Sequence, residues 1–375
     1  MNKREIDKLK LFLSGLKSRY DENTDFFIGM EIELTSGRKK LTASYEGSKS
    51  QLYYNKEYLD LELKKALDLM VEEAAKYDAM LLRYKERGAS VIVHADGRNV
   101  TIKQEAQDNA PMVQEPTNRS YYIKASQAKE LLQEIDILTK DGKIKNDKIR
   151  KYNQIDHFIE VVDPIIRSLP KDRSITILDC ACGKSYLTFV LNFYLVEVLK
   201  RKCHIIGVDY NQGVIDSSVK RAERLGYKNM EFVQADLNAY EPSRKVDLLV
   251  SLHACDNATD YAIAAGIRLD VPAMVLVPCC HKEFIEQLEN EEMGPILRHN
   301  IFKVRFNDMF TDALRSLYLE SKGYEVSPLE YISPLDTPKN IMIRALKKRE
   351  EDPVAKEEYR RIKRMFGVDP ILEKL

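Results

Sequence analysis

The chain has 375 residues, and its 59 Lys plus Arg balance 59 Asp plus Glu to a formal net charge of zero. That length is enough for a sizeable core and more than one folding unit, while the balanced charge excludes a chain-wide basic field and leaves any anion-binding surface to be local. All six cysteines lie between Cys180 and Cys280, which excludes the disulfide framework of a small secreted domain and points to a reducing cytoplasm. The N-terminus, MNKREIDKLKLFLSGLKSRY, lacks the apolar core of a signal peptide, and no apolar run reaches membrane-spanning length. A soluble cytoplasmic protein without membrane contact is expected.

Ile6, Leu9, Leu11, Phe12 and Leu16 recur near helical spacing and predict an amphipathic helix over residues 4–20. Residues 26–34, 41–45 and 51–54 alternate apolar with polar side chains and predict strands, divided by the turn clusters Ser36-Gly37-Arg38 and Gly47-Ser48. Over 58–87, Leu59, Leu63, Leu67, Met70, Ala74 and Leu81 fall close to one face, and a return to helix is expected. Residues 90–105 predict a hairpin about Asp96-Gly97, a dipeptide suited to positive φ. Together these form an N-terminal α+β module, 1–118, expected to help hold substrate. It ends in a Gln-, Asn- and Pro-rich stretch, 106–118, read as a linker. A main domain, 119–349, and a basic helical tail, 350–375, are expected to follow.

The main domain opens with a helix over 126–138, a turn at 140–142 and a basic run, KIKNDKIRKY, read as a solvated helix face or as a phosphate contact. A second helix, 153–169, carries Pro164, expected to kink it. Then ITILDCACGKSYL, 175–187, reads as a strand, a tight turn through small residues and a helix N-terminus, the arrangement that binds nucleotide-like ligands. Strand patterns at 203–208, 230–233, 246–252 and 273–277 run into Asp209, Ala235-Asp236, His253-Ala254-Cys255-Asp256 and Pro278-Cys279-Cys280-His281. Regular α/β alternation predicts a doubly wound, mostly parallel sheet with its ligand groups at the strand ends. Residues 323–331 and 341–346 predict a closing antiparallel hairpin.

Gly183-Lys184-Ser185 looks like the end of a phosphate-binding loop, but that motif needs a glycine where Leu178 stands, inside the strand. A dinucleotide fingerprint fails for want of further glycines. Asp179 to Ser185 instead resembles the first motif of class I S-adenosylmethionine-dependent methyltransferases, D/E-x-G-x-G-x-G, with Ala181 and Ser185 in place of two glycines. The resemblance implies a Rossmann-like class I methyltransferase fold with an antiparallel last strand, and S-adenosylmethionine as cofactor. It implies that Asp179, Ala181, Cys182 and Gly183 cradle the cofactor and that Asp209 takes the ribose hydroxyls, a carboxylate offering paired acceptors. Asp236 then takes the adenine amino group, with Tyr210, Ala235, Leu237 and His253 completing the set. SLHACDNATD and PCCHKE further resemble a branch that includes glutathione S-transferase C-terminal-domain-containing proteins and, distantly, tRNA ribose 2′-O-methyltransferases, which implies an RNA acceptor, tRNA or rRNA.

Two chemistries fit the strand ends. A thiolate from Cys255, Cys279 or Cys280 could attack a pyrimidine ring. Alternatively Asp256 and Lys282, with Lys151 and Glu330 at the rim, could orient or deprotonate a hydroxyl. The same cysteines also read as small apolar lining. A zinc site from Cys255, Cys279, Cys280 and His281 is disfavoured because adjacent cysteines are awkward ligands for one tetrahedral ion, and no metal is expected.

Overall fold

The computed structural model describes residues 1, 3–22, 24, 27–47, 49–86, 89–106, 121–254, 256–288, 290–332 and 340–375. Two compact units emerge: Met1–Ser120 with Leu138–Arg150, and Tyr121–Ile137 with Lys151–Leu375. Cys255, most of the stretch read as a linker and most of the SPLDTPKN segment lie outside the described residues. Among the described residues no helix is long and apolar enough to cross a membrane.

The first unit runs α1 (Lys3–Glu22), β1 (Phe27–Ser36), β2 (Lys39–Glu46), β3 (Gln51–Tyr54), β4 (Glu57–Asp60), α2 (Leu63–Ala74), β5 (Ala79–Glu86), β6 (Ala89–Ala95) and β7 (Val100–Ala106). Its sheet has the order β4-β3-β2-β1-β5-β6-β7 with antiparallel pairing throughout. Leu9, Leu13 and Leu16 of α1 and Leu67 and Met70 of α2 share one core with Met30, Ile32, Leu82, Tyr84 and Val93 of the sheet.

Two expectations change here. The helix expected over 58–87 is only α2, flanked by β4 and β5. In β5 Met80, Leu82, Tyr84 and Glu86 are the buried positions, a period of two that the four-residue spacing of the upstream leucines concealed. The hairpin at 89–106 stands, but Gly97 is not in the left-handed region. The turn is closed by Asp96, whose Oδ1 accepts from the backbone N–H groups of Arg98 and Asn99 at 2.8 and 2.9 Å, an Asx turn rather than a glycine turn.

The second unit holds α3 (Lys129–Glu134), α4 (Ile149–Ser168), β8 (Ile175–Cys180), α5 (Tyr186–Phe193), β9 (Cys203–Asp209), α6 (Gln212–Arg224), β10 (Met230–Gln234), β11 (Leu248–Leu252), α7 (Asn257–Arg268) and β12 (Ala273–Val277). Then follow α8 (Gly294–Leu297), α9 (Asn300–Ser321), β13 (Tyr324–Glu330), β14 (Ile341–Lys347) and α10 (Pro353–Phe366). The helix expected over 126–138 is confined to α3, and α4 is helical through Pro164. Tyr359 and Phe366 of α10 are buried in a cluster with Phe310 and Leu314 of α9, so the tail is part of this unit's core.

The sheet order is β10-β9-β8-β11-β12-β14-β13. Strands β8 to β12 pair in parallel, and β14 pairs antiparallel with both β12 and β13. This is the Rossmann-like class I methyltransferase architecture. All six residues of β8 are buried, as expected of a central strand covered on both faces. Strand order reverses between β8 and β11, which opens a crevice beyond their C-terminal ends.

Candidate active site

Asp179, the penultimate residue of β8, is 1 % exposed. The Thr188 hydroxyl donates to its Oδ2 at 2.5 Å, while Oδ1 is buried with no hydrogen-bond partner. Burial, with Asp209's charge adding to it and Thr188 opposing it, pushes the carboxyl up to about 7. Beyond it the backbone turns left-handed at Ala181, Gly183 and Ser185, with φ of 54°, 53° and 52°. A side chain in that region costs about 1–2 kcal/mol, so the two positions that lack the motif's glycines keep the motif's conformation at a local cost. Strain of this kind collects where a ligand is gripped.

Gly183 N–H donates to Asp209 Oδ2 at 2.9 Å, and Asn211 N–H donates to Oδ1 at 2.9 Å. Each oxygen therefore keeps an open lone pair, and the end of β9 is pinned to the loop after β8. Gly207 lets this happen: a Cβ there would meet the Phe232 ring at 2.6 Å and Cys182 Sγ at 3.2 Å. Cys180 and Cys182 are buried, and burial raises both thiols, the behaviour of small apolar lining rather than of nucleophiles.

Ala235 N–H donates to Asp209 O at 3.2 Å, bringing the third strand end alongside. Ala235 and Leu237 pack on the core. Asp236 is exposed and its Oδ1 accepts from Asn238 N–H at 3.0 Å, so one oxygen closes a turn. Tyr210 is 81 % exposed.

Past β11, His253 adopts φ 63°, and its Nε2 shares a 2.8 Å hydrogen bond with Tyr331 Oη. Burial lowers the imidazole below its usual value and raises the tyrosine, so both are neutral near pH 7. Cys279 Sγ donates to His253 O at 3.4 Å and lies 3.8 Å from Cys280 Sγ. Asp256 Oδ1 accepts from the backbone N–H of Lys282 at 3.0 Å, which joins the β11 loop to the β12 loop, while the Lys282 side chain is exposed. The Lys151 ammonium lies 4.5 Å from the Tyr186 ring centroid.

Underneath is a charge network that the sequence did not announce. Arg315 of α9, 2 % exposed, forks onto Asp260 of α7 at 2.9 and 2.5 Å. It also donates to Asp256 O at 3.0 Å and reaches Asp312 at 3.4 Å. Asp312 meets His281 Nε2 at 2.8 Å, and Asp308 lies 3.4 Å from Nδ1. Asp308, Asp312 and Arg315 recur at helical spacing on α9, the one signal that could have revealed it. Tyr331, 78 residues from His253, had no such signal. Among the described residues no group of three or more His, Cys, Asp or Glu gathers as metal ligands.

A family described as a methyltransferase domain matches residues 150–287, a segment that contains the C-terminal ends of β8, β9, β10, β11 and β12. Over 143 residues the chain is 28 % identical to a glutathione S-transferase C-terminal domain-containing protein of Bos taurus, covering 38 % of this chain and 21 % of that one. Over 75 residues it is 29 % identical to a probable (S)-tetrahydroprotoberberine N-methyltransferase 2 of Papaver bracteatum, covering 20 % of each. The matched region thus spans about a fifth of the length of these curated relatives. An SAH-bound methyltransferase of Podospora anserina superposes with a TM-score of 0.37 at 14 % identity, covering 62 % of this chain and 91 % of the other. Sheet order, the loop at the switch point and the family match agree on a methyltransferase-domain fold over residues 150–287.

Proposed function

We propose that the protein transfers the methyl group of S-adenosylmethionine to RNA, tRNA or rRNA, in a reducing cytoplasm, with the N-terminal unit helping to hold the acceptor. The observation that carries the cofactor half is Asp209, both of whose oxygens face donors from two neighbouring loops and keep capacity for a diol. Asp179, Ala181, Cys182 and Gly183 would hold the amino-acid end, where the unpartnered Asp179 Oδ1 suits an ammonium. Tyr210, Ala235, Asp236, Leu237 and His253 would surround the nucleoside. S-adenosylmethionine supplies an electrophilic methyl group when bound; the chain's own task is to orient the acceptor and remove its proton. The RNA half rests on the resemblance of SLHACDNATD and PCCHKE to a branch that distantly includes tRNA ribose 2′-O-methyltransferases. Cys180, Cys182 and Cys203 are free thiols, in keeping with the compartment.

Calorimetry tests the first half. Asp209→Ala is expected to weaken S-adenosylmethionine about tenfold to a hundredfold, the worth of one or two hydrogen bonds to a charged group; unchanged affinity sinks the assignment. For the acceptor, nucleosides from a deletion strain should lack one methylated species that returns on complementation. Methyl transfer to a metabolite alone would establish a small-molecule enzyme, the activity class named for the Papaver relative.

Between the two chemistries the geometry favours proton removal. In the tautomer that donates Nε2–H to Tyr331 Oη, His253 Nδ1 is bare and able to accept a proton from a hydroxyl. Asp256 and Lys282 would then shape the rim, with Cys279 and Cys280 lining it. Because His253 is held below 6.5, kcat should rise with pH through a value under 6.5 and then stay level. His253→Asn should lower kcat about 10²-fold and erase that limb. A covalent RNA adduct trapped on Cys255, Cys279 or Cys280 would overturn this choice and assign the thiol as nucleophile.

A further inference from the structure

At the edge of the second sheet opposite the crevice, five segments converge. They are the loop between α4 and β8, the stretch before β9, the turns leading into β11 and β12, and the end of the antiparallel β14. Two adjoining grooves run along this edge. Six of the nine residues lining the first are basic, among them Lys171, Arg201 and Lys202. The second adds Lys245, Lys347 and Lys348. Arg173 lines both, forking onto the buried Asp247 at 2.8 and 2.5 Å, so the boundary between them is rigid. Arg201 is likewise fixed, donating to Ile166 O at 2.5 Å and to Pro170 O. Lys171, Lys202 and Lys245 are exposed. Arg167, Arg173, Lys200, Lys347 and Lys348 are paired with Asp163, Asp247, Glu197, Asp270 and Glu325, so among the described residues the belt's local positive charge lies mainly with Lys171, Arg201, Lys202 and Lys245.

We propose that this basic edge docks the phosphate backbone of the RNA acceptor. The inference rests on the RNA reading above and adds where the RNA is held. The two grooves meet at Arg173, and basic residues spread along both suit a polyanion and its regularly spaced phosphates better than one small anion. Strands of five to seven residues put the edge on the order of 20 Å from the crevice. The contact therefore grips the body of the RNA, without reading sequence, while a distant nucleotide enters the crevice. Between the two edges β8, β11 and β12, buried along nearly their whole length, keep that spacing fixed.

The test uses the full chain and bulk tRNA, with fluorescence anisotropy from about 50 to 200 mM KCl. The triple variant Lys171→Glu, Lys202→Glu, Lys245→Glu is expected to bind tRNA at least about tenfold more weakly, with a slope of log affinity on log salt smaller by about 2. Its affinity for S-adenosylmethionine by calorimetry should be unchanged, which shows that the fold and the cofactor site survive. Unchanged tRNA affinity and slope in the triple variant would overturn the belt while leaving the RNA reading standing. Failure of the wild type to bind tRNA or rRNA fragments would overturn both. Binding of the wild type but not the triple variant to phosphatidylserine vesicles, with RNA binding equal in the two, would assign the edge to an anionic membrane and overturn it.

Discussion

Arg315→Ala is expected to destabilise the second unit by about 3–5 kcal/mol, because it strips the guanidinium from a buried ion pair and leaves the acids behind. Arg315 and Asp260 are 2 % and 1 % exposed, so neither charge has water to fall back on. Asp312 keeps His281, but Asp260 loses both of its observed hydrogen bonds. Urea unfolding followed by hydrogen exchange on α7 and α9 measures the loss; a change below about 1 kcal/mol would mean that the pair behaves as a surface contact. Arg315→Lys keeps the charge but not the fork, and should fall between wild type and alanine. Pairing Arg315→Met with Asp260→Asn should recover much of the stability, since replacing both partners leaves no buried charge uncompensated. The catalytic consequence is separable. Arg315 holds Asp256 O at 3.0 Å, and Asp256 in turn holds Lys282 N–H, whereas Asp179 and Asp209 sit on strands it does not touch. Under conditions where the conservative lysine variant stays folded, kcat should fall while S-adenosylmethionine affinity holds.

That contrast also marks what a sequence carries. That Asp179 and Asp209 stand at strand ends is legible because a buried strand must end somewhere, and the first polar residue after an apolar run is fixed by position alone. The order of the parallel strands follows from the alternation of apolar runs with amphipathic helices. Tyr331 and Arg315 are different. They reach the site from α9 and the end of β13, across sequence separations that no local period encodes, and each is buried where an apolar residue would suit the pattern equally well. The misreading of residues 58–87 has the same root. Leu59, Leu63, Leu67 and Met70 satisfy a helical repeat, yet Leu59 is on β4 and pairs with Leu52. Tertiary pairing, which the local pattern does not contain, decides it. In the loop after β8, sequence foretold weak glycine usage, but not that Ala181 and Ser185 would still turn left-handed.

Asp179→Asn is expected to change how stability depends on pH by up to about 4 kcal/mol. The folded carboxyl titrates at about 7, against an ordinary value of 3.8, so between those limits the folded chain holds a proton that the unfolded chain has released. Its contribution is fully present below the unfolded value and is lost as pH climbs through about 7. Above that, the protein carries a buried carboxylate with one hydroxyl donor on Oδ2 and none on Oδ1. Asparagine mimics the protonated acid and has no such transition. Without cofactor, the variant should therefore match wild type near about pH 4 and exceed it increasingly up to about pH 8; a difference that stays flat with pH would refute the titration of Asp179. S-adenosylmethionine and its demethylated product both carry an ammonium able to sit against Oδ1, which would draw the carboxyl back down. Either ligand should then stabilise the wild type more at about pH 8 than at about pH 5, and should bind Asp179→Asn far more weakly at both. Equal stabilisation of wild type and variant would move the amino-acid end of the cofactor away from Asp179 while leaving Asp209 as the ribose anchor.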